Sequence, residues 1–202
     1  MADRTASTGN PAFRRVPRIA ASTSVEALPP ATRCILRGGP DVMTAAGAAL
    51  GLTISQTACR AATSPNNLAA LWLGPDEQLL LGPERCDIAA ALEPALHALP
   101  HSLVDVSHRQ TALRVSGPHA VTLLNAGCPL DLDPGAFPVG MCTRTVLAKA
   151  EIVLWRTTRD VFHVEVWRSF ADYVSSFLAE VAREIGTTPH GQFPNGDTLD
   201  RR

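Results

Sequence analysis

Lysine is almost absent from this chain of 202 residues: Lys149 is the only one among 18 basic residues, and arginine supplies the others. Neither charge dominates. With 19 acidic residues the formal net charge is −1, so no basic surplus exists to displace counterions, and nucleic acid is not an expected partner. Long apolar runs are missing too. No stretch of about 18 apolar residues occurs, which excludes a membrane-spanning helix, and the N-terminus lacks the apolar centre of a secretory signal. Five cysteines stand at 34, 59, 86, 128 and 142, no two closer than fourteen residues. That spacing excludes a CxxC zinc or redox motif. An odd number without a signal points to reduced thiols and a cytoplasmic location. Nucleotide fingerprints are absent as well. Gly38-Gly39 runs into Pro40 without G-x-G-x-x-G spacing, and Lys149 sits between two alanines rather than in a phosphate loop.

What is present is 46% hydrophobic sequence, enough in a chain this long to bury roughly 70% of the unfolded surface in one good core or two small ones. Residues 1–30, with Pro11, Pro17, Pro29 and Pro30, show no periodicity and read as a tail, disordered or bound to a partner. Residues 187–202 read as a C-terminal tail of the same kind. Between them, two halves, 31–104 and 105–186, follow one plan. In the first, "RCILRG" is a strand and Pro40 opens a helix with Val42, Met43, Ala46 and Leu50 on one face and Gly51 at its C-terminus. "LAALWLGPDEQLLLG" is a hairpin turning at Gly74-Pro75-Asp76, and Asp87 caps a second helix kinked at Pro94.

In the second half, "LVDVSHRQTALRVSG" is one strand, or two with a break. A short helix follows Gly117-Pro118 and ends at Asn125-Ala126-Gly127. Residues 144–167 form a hairpin turning near Thr158-Arg159-Asp160. Ser169 and Asp172 form a capping box for a last helix, whose face includes Phe170, Tyr173, Val174, Phe177, Leu178, Val181 and Ile185. The expected fold class is therefore α+β: two tandem strand–helix–hairpin–helix halves packed as a two-layer sandwich. Residues 33–98 should superpose on 105–186, with Pro40 and Pro118 each beginning a helix.

Chemistry-bearing residues are few. Asp105, Ser107 and His108 lie together in "DVSH", but on a strand Ser107 and His108 face opposite ways, so a triad is not expected. His97 and His101 have metal-binding helical spacing, interrupted by Pro100. His119 starts a helix. His163 and Glu165 read as the polar face of a half-buried strand. Trp72, Trp155 and Trp167 read as core or as interface anchors. No catalytic, cofactor-binding or metal-ligating residue is assigned.

Two segments carry a resemblance. "ALWLGPDEQLLL" (70–81) and "DVSHRQTALRVSGPHAVTLLNAGCPLDL" (105–132), continued by "FPVGMCTRTVLAKAEIVLWR" and the final helix, resemble the gamma-subunit family of heterotetrameric sarcosine oxidase over residues 31–186. The wider superfamily is the folate-binding aminomethyltransferase, or T-protein, fold. Active members carry a Gly-Gly-x-x-Asp-Asp-like segment where this chain has "LAKAEIVLW", with Glu151 its one acid, and the Lys-Gly-Cys-Tyr-type motif of iron–sulfur-linked relatives is missing too. The resemblance implies a non-catalytic cytoplasmic subunit without cofactors of its own. FAD, FMN, NAD and tetrahydrofolate would belong to partner subunits among alpha, beta and delta, which oxidatively demethylate sarcosine to glycine. The alternative is a stand-alone folate-binding or one-carbon-transfer protein.

Overall fold

The computed structural model describes residues 23–187 as ten strands and four helices in two five-stranded antiparallel sheets. Strand β2 (Ala31–Gly38) leads into helix α1 (Pro40–Leu50), then β3 (Ala61–Thr63), the hairpin β4 (Ala69–Gly74) and β5 (Glu77–Pro83), and α2 (Ile88–Leu96). The second half repeats the order with β7 (Gln110–Ser116), α3 (Ala120–Asn125), β8 (Cys142–Leu147), β9 (Ala150–Thr158), β10 (Val161–Trp167) and α4 (Ala171–Thr187). Each half is a two-layer α+β unit. The units stack sheet on sheet, so the molecule reads helices, sheet, sheet, helices.

Local chemistry sets the helix ends. Pro40 occupies the first turn of α1, where its missing N–H costs nothing. Gly51 ends that helix at φ +64°, a left-handed conformation that suits glycine. Asp87 Oδ1 accepts a 2.9 Å bond from the Ala90 N–H and caps α2, which runs through Pro94 to Leu96. Helix α4 is preceded by a 3-10 turn, Arg168–Phe170, that contains Ser169, and begins one residue later than a Ser169 cap would place it. Its buried stripe is Ala171, Val174, Leu178 and Ala182, while Phe170 and Tyr173 point to solvent.

The two Gly-Pro pairs are not equivalent. Pro40 begins α1, but Pro118 lies in a turn closed by the Ala120 N–H on the Gly117 carbonyl, and α3 starts at Ala120. Parity gives the reason. Cys34 and Leu36 face the helices in the first half, Leu113 and Val115 in the second. Laying Gly117-Pro118 over Gly39-Pro40 would set Leu36 against the exposed Arg114, so one extra residue in the turn restores the register.

Two further strands join the halves. Strand β1 (Ser24–Ala27) lies within the stretch read as an N-terminal tail, yet pairs with β7, Val25 opposite Val115. Only Val25 of its four residues is buried, so the strand has little apolar signature. Strand β6 (His101–Asp105) precedes β7 but pairs with β2 in the other sheet. Each half thus lends its leading strand to its partner half. The sheet orders are β1-β7-β10-β9-β8 and β3-β4-β5-β2-β6. At one corner an Arg60–Met141 bridge ties the chain before β3 to the chain before β8. Residues 1–22 and 188–202 lie outside the described part.

The second half also holds a three-stranded meander where one hairpin was expected. Residues 144–167 span β8, β9 and β10, and the extra turn is at Ala148-Lys149, with Ala148 at φ +53°. The strands "ALWL" and "EIVLW" are covered on both faces. Ala70, Ile152 and Leu154 pack under the helices, whereas Leu71, Leu73, Val153, Trp72 and Trp155 meet between the sheets. Their apolar surface is used inside the molecule.

Candidate functional site

The space between the sheets contains an ion pair as well as apolar side chains. Arg33 on β2 and Glu165 on β10 are 2% and 1% exposed, essentially out of water. The Arg33 Nε–H donates to Glu165 Oε2 at 2.6 Å and Nη2–H to Oε1 at 3.1 Å, and Nη1–H donates to the Ala31 carbonyl at 3.0 Å. This is the bidentate fork that carboxylates match best. Oε1 also accepts from His163 Nε2 at 2.7 Å. Burial alone would raise the Glu165 carboxyl, but the hydrogen bond and charge of His163 and the charge and hydrogen bonds of Arg33 outweigh it and hold the group below its ordinary value. An ionised carboxylate only accepts, so His163 Nε2 carries the hydrogen in this contact.

His163 is half-buried, and its ring lies 5.7 Å from that of Trp155. The two rings form a ledge at the open end of the sheet stack. On one side is a cleft of about 540 Å³ bounded by Glu26, Arg114, Ser116 and Thr157. On the other is a cleft of about 430 Å³ bounded by Ser64, Asn67, Leu68, Leu81, Trp155 and His163. In the larger cleft the polar groups satisfy one another: Arg114 pairs with Glu26, and the Ser24 and Ser116 hydroxyls bond at 2.9 Å.

The other histidines and the "DVSH" motif remain scattered. The Asp105 carboxylate accepts from the Ser107 backbone N–H at 2.7 Å, its pKa is lowered by the Ser107 hydroxyl and then by that backbone N–H, and Ser107 Oγ accepts from the Arg33 N–H at 2.9 Å. His108 is exposed, so the motif is a turn that fastens β6 to β2. His97 and His101 bond nearby carbonyls through Nδ1. Among the described residues no group of three His, Cys, Asp or Glu could hold a metal ion. The His119 backbone N–H donates to Thr23 Oγ1 at 3.1 Å. A Cβ on Gly38 would lie 2.7 Å from Val42, so this glycine serves helix–strand packing. Of the tryptophans, Trp72 and Trp155 lie between the sheets, and Trp167 is exposed, with the Arg109 guanidinium 4.9 Å over its ring.

Residues 37–184 match the sarcosine oxidase, gamma subunit family. The chain belongs to that family. It is 36% identical over 141 residues to the sarcosine oxidase subunit gamma of Corynebacterium sp. (strain P-1), covering 70% of each chain. It is 35% identical over 143 residues to that of an Arthrobacter species, covering 71% of this chain and 70% of the relative. Among solved structures it superposes on a chain of the heterotetrameric sarcosine oxidase from Corynebacterium sp. U-96, in complex with pyrrole 2-carboxylate, with a TM-score of 0.80. That match is at 28% identity and covers 87% of this chain and 91% of that one. The glycine cleavage system aminomethyltransferase T from Bartonella henselae matches with a TM-score of 0.58 at 14% identity, over 78% of this chain and 45% of that one, and establishes the fold alone. Trp167, Phe170 and Tyr173 are each 38% exposed, and the Phe170 and Tyr173 rings meet edge-on at 6.5 Å.

Proposed function

We propose that this chain is the non-catalytic gamma subunit of a heterotetrameric sarcosine oxidase, and that it supports assembly of the alpha, beta and delta subunits. The observation that carries the reading is the 0.80 superposition over 91% of a chain of such an oxidase. FAD, FMN, NAD and tetrahydrofolate then belong to the partner subunits, which convert sarcosine to glycine in the cytoplasm, and no catalytic, cofactor or metal residue is assigned to this chain. Its two halves are joined by exchanged strands, β1 pairing with β7 and β6 with β2. Trp167, Phe170 and Tyr173, beside Lys149 and Glu151, give it the aromatic anchors typical of a subunit interface. Trp155, whose position between the sheets serves the internal core, is not part of that surface.

The test is co-expression with the other three subunits, using an affinity tag on this chain. The oxidase should co-purify with flavin absorbance and sarcosine-dependent oxygen consumption, and the chain expressed alone should be colourless and inactive. Stoichiometric flavin in the isolated chain, or failure to co-purify, would overturn the reading. Tight tetrahydrofolate binding by the isolated chain would support the stand-alone alternative, whose T-protein fold it shares.

A further inference from the structure

We propose that the corner formed by Trp167, Phe170 and Tyr173 docks a partner-subunit face that is apolar at its centre and acidic at its rim, with Lys149, Arg109 and Arg168 pairing with the acids, an inference that rests on the subunit reading. Register shows why this corner is uncovered. Val146 on β8 stands opposite Glu151 on β9, and Trp167 on β10 continues that row, one step beyond the Val166–Ile152 pair. Two residues away along β9 and β10, on the same face of the sheet, Val153 and Glu165 stand opposite each other. Those two are buried beneath the other sheet, whereas Val146, Glu151 and Trp167 are exposed. The face that elsewhere forms the core runs on past its cover. Trp167 and Phe170 bound a cleft of about 190 Å³ there with Lys149 and Glu151, and a surface of this origin resembles a core cut in half, as permanent interfaces do.

Charge defines the occupant. Elsewhere Arg33, Arg37, Arg114, Arg144 and Arg183 each have a carboxylate partner. Around the aromatic corner the pattern reverses. Lys149, Arg109 and Arg168 are exposed, and among the described residues none of them forms an ion pair. The Arg109 guanidinium lies 4.9 Å over the Trp167 ring. The Arg168 N–H donates to the Arg109 carbonyl at 2.8 Å, which keeps those two cations side by side. Across the cleft, the Lys149 backbone N–H donates to the Tyr173 hydroxyl at 3.4 Å and fixes the lysine turn against the aromatic cluster. The nearby acids are engaged: Glu151 Oε1 is 3.9 Å from Arg144 Nε, and Asp172 lies in the first turn of α4, where the helix dipole favours it. An apolar centre flanked by unpaired cations is matched by the converse surface, apolar with carboxylates at its rim. Nucleic acid or anionic lipid would also meet these cations, but three positive charges on a chain of net charge −1 are few for either.

The experiment sets variant and parent chains in competition. Both full-length chains are co-expressed with the other three subunits, and their ratio in the purified oxidase is read by mass spectrometry. Lys149→Glu/Arg168→Glu should enter the oxidase at least about tenfold less often than the parent, because like charges then face each other. Circular dichroism and thermal unfolding of the free variant should be unchanged, since both side chains are exposed. Lys149→Gln/Arg168→Gln, which removes the attraction without adding repulsion, should lie between the two. Arg159→Glu, at the turn between β9 and β10 and so at the far end of β10 from Trp167, should compete like the parent. Equal entry of the reversed chain, or the same loss with Arg159→Glu, would overturn the proposal. So would sedimentation of the free chain with phosphatidylserine vesicles that Lys149→Glu/Arg168→Glu abolishes, which would give the corner to a membrane surface. A parent chain that never enters the oxidase would instead refute the subunit reading on which the inference rests.

Discussion

Replacing Glu165 by Gln tests how the two halves are held together. The variant keeps the side-chain shape but leaves the Arg33 guanidinium, 2% exposed, without its counter-charge. Removing one member of a buried pair costs about 3–5 kcal/mol, because the orphaned charge keeps its desolvation penalty. For a chain of this size each kcal/mol is worth about 2–4 °C in Tm, so a fall of about 6–20 °C is expected in thermal unfolding of the full-length chain. The double variant Arg33→Met/Glu165→Leu should recover most of the loss, since a well-packed apolar pair replaces two buried charges at little net cost. The exposed pair Arg37–Asp76, with side chains 55% and 56% exposed, is the contrast. Asp76→Asn should change stability by less than about 1 kcal/mol. If Glu165→Gln is no worse than Asp76→Asn, or the double variant no better than the single, the ion pair does not join the sheets as argued.

The pH dependence has a definite sign. The Glu165 carboxyl is held below its ordinary 4.5, so its stabilisation is complete above that value and is lost as pH falls through the folded-state pKa, and Glu165→Gln should flatten this acid limb in denaturant titrations. Gly127→Ala should destabilise by about 1–3 kcal/mol, because a Cβ there meets Phe177 at 2.7 Å and the Ala148 nitrogen at 2.9 Å, whereas Gly39→Ala, with nothing within 4 Å, should be nearly neutral by calorimetry. Burial pushes the Cys34 and Cys142 thiols up to about 11 and about 12, so at pH 8 iodoacetamide should label both only after unfolding, as read by mass spectrometry. Trp167→Asp should leave far-UV circular dichroism and Tm unchanged but reduce co-purified flavin in the four-subunit expression. Retention of full flavin would remove Trp167 from the interface.

Much of the fold was legible because its signals are local. The β4–β5 hairpin, the Asp87 cap and the Gly51 terminus each depend on a few adjacent residues, and so does the apolar stripe of α4. What escaped notice depends on distant residues or lacks punctuation. The turn between β8 and β9 uses Ala148 at φ +53°, where Gly, Asn or Asp would have announced it. Strand β6 has a largely exposed pattern and no clean alternation. The pairing of Arg33 with Glu165 spans 132 residues, and no local pattern marks a charged strand residue as buried. One clue was available: Ile152–Trp155, "IVLW", is continuously apolar, which signals a strand covered on both faces, and that cover is the other sheet.

The exchange of leading strands also has a consequence for how the protein is made. A ribosome that has delivered β1 holds a strand whose neighbour, β7, lies about ninety residues further on, Ser24 meeting Ser116. The first sheet is likewise unfinished until β6 arrives, directly ahead of β7. Neither half can complete its hydrogen bonding while the other is still missing, so the two should mature as one late event rather than in sequence. Cutting the polypeptide between Leu96 and His101 would produce two fragments with complementary vacancies. Mixed together, they should clasp and refold as a pair, whereas either fragment alone would leave open the sheet edge that its counterpart closes.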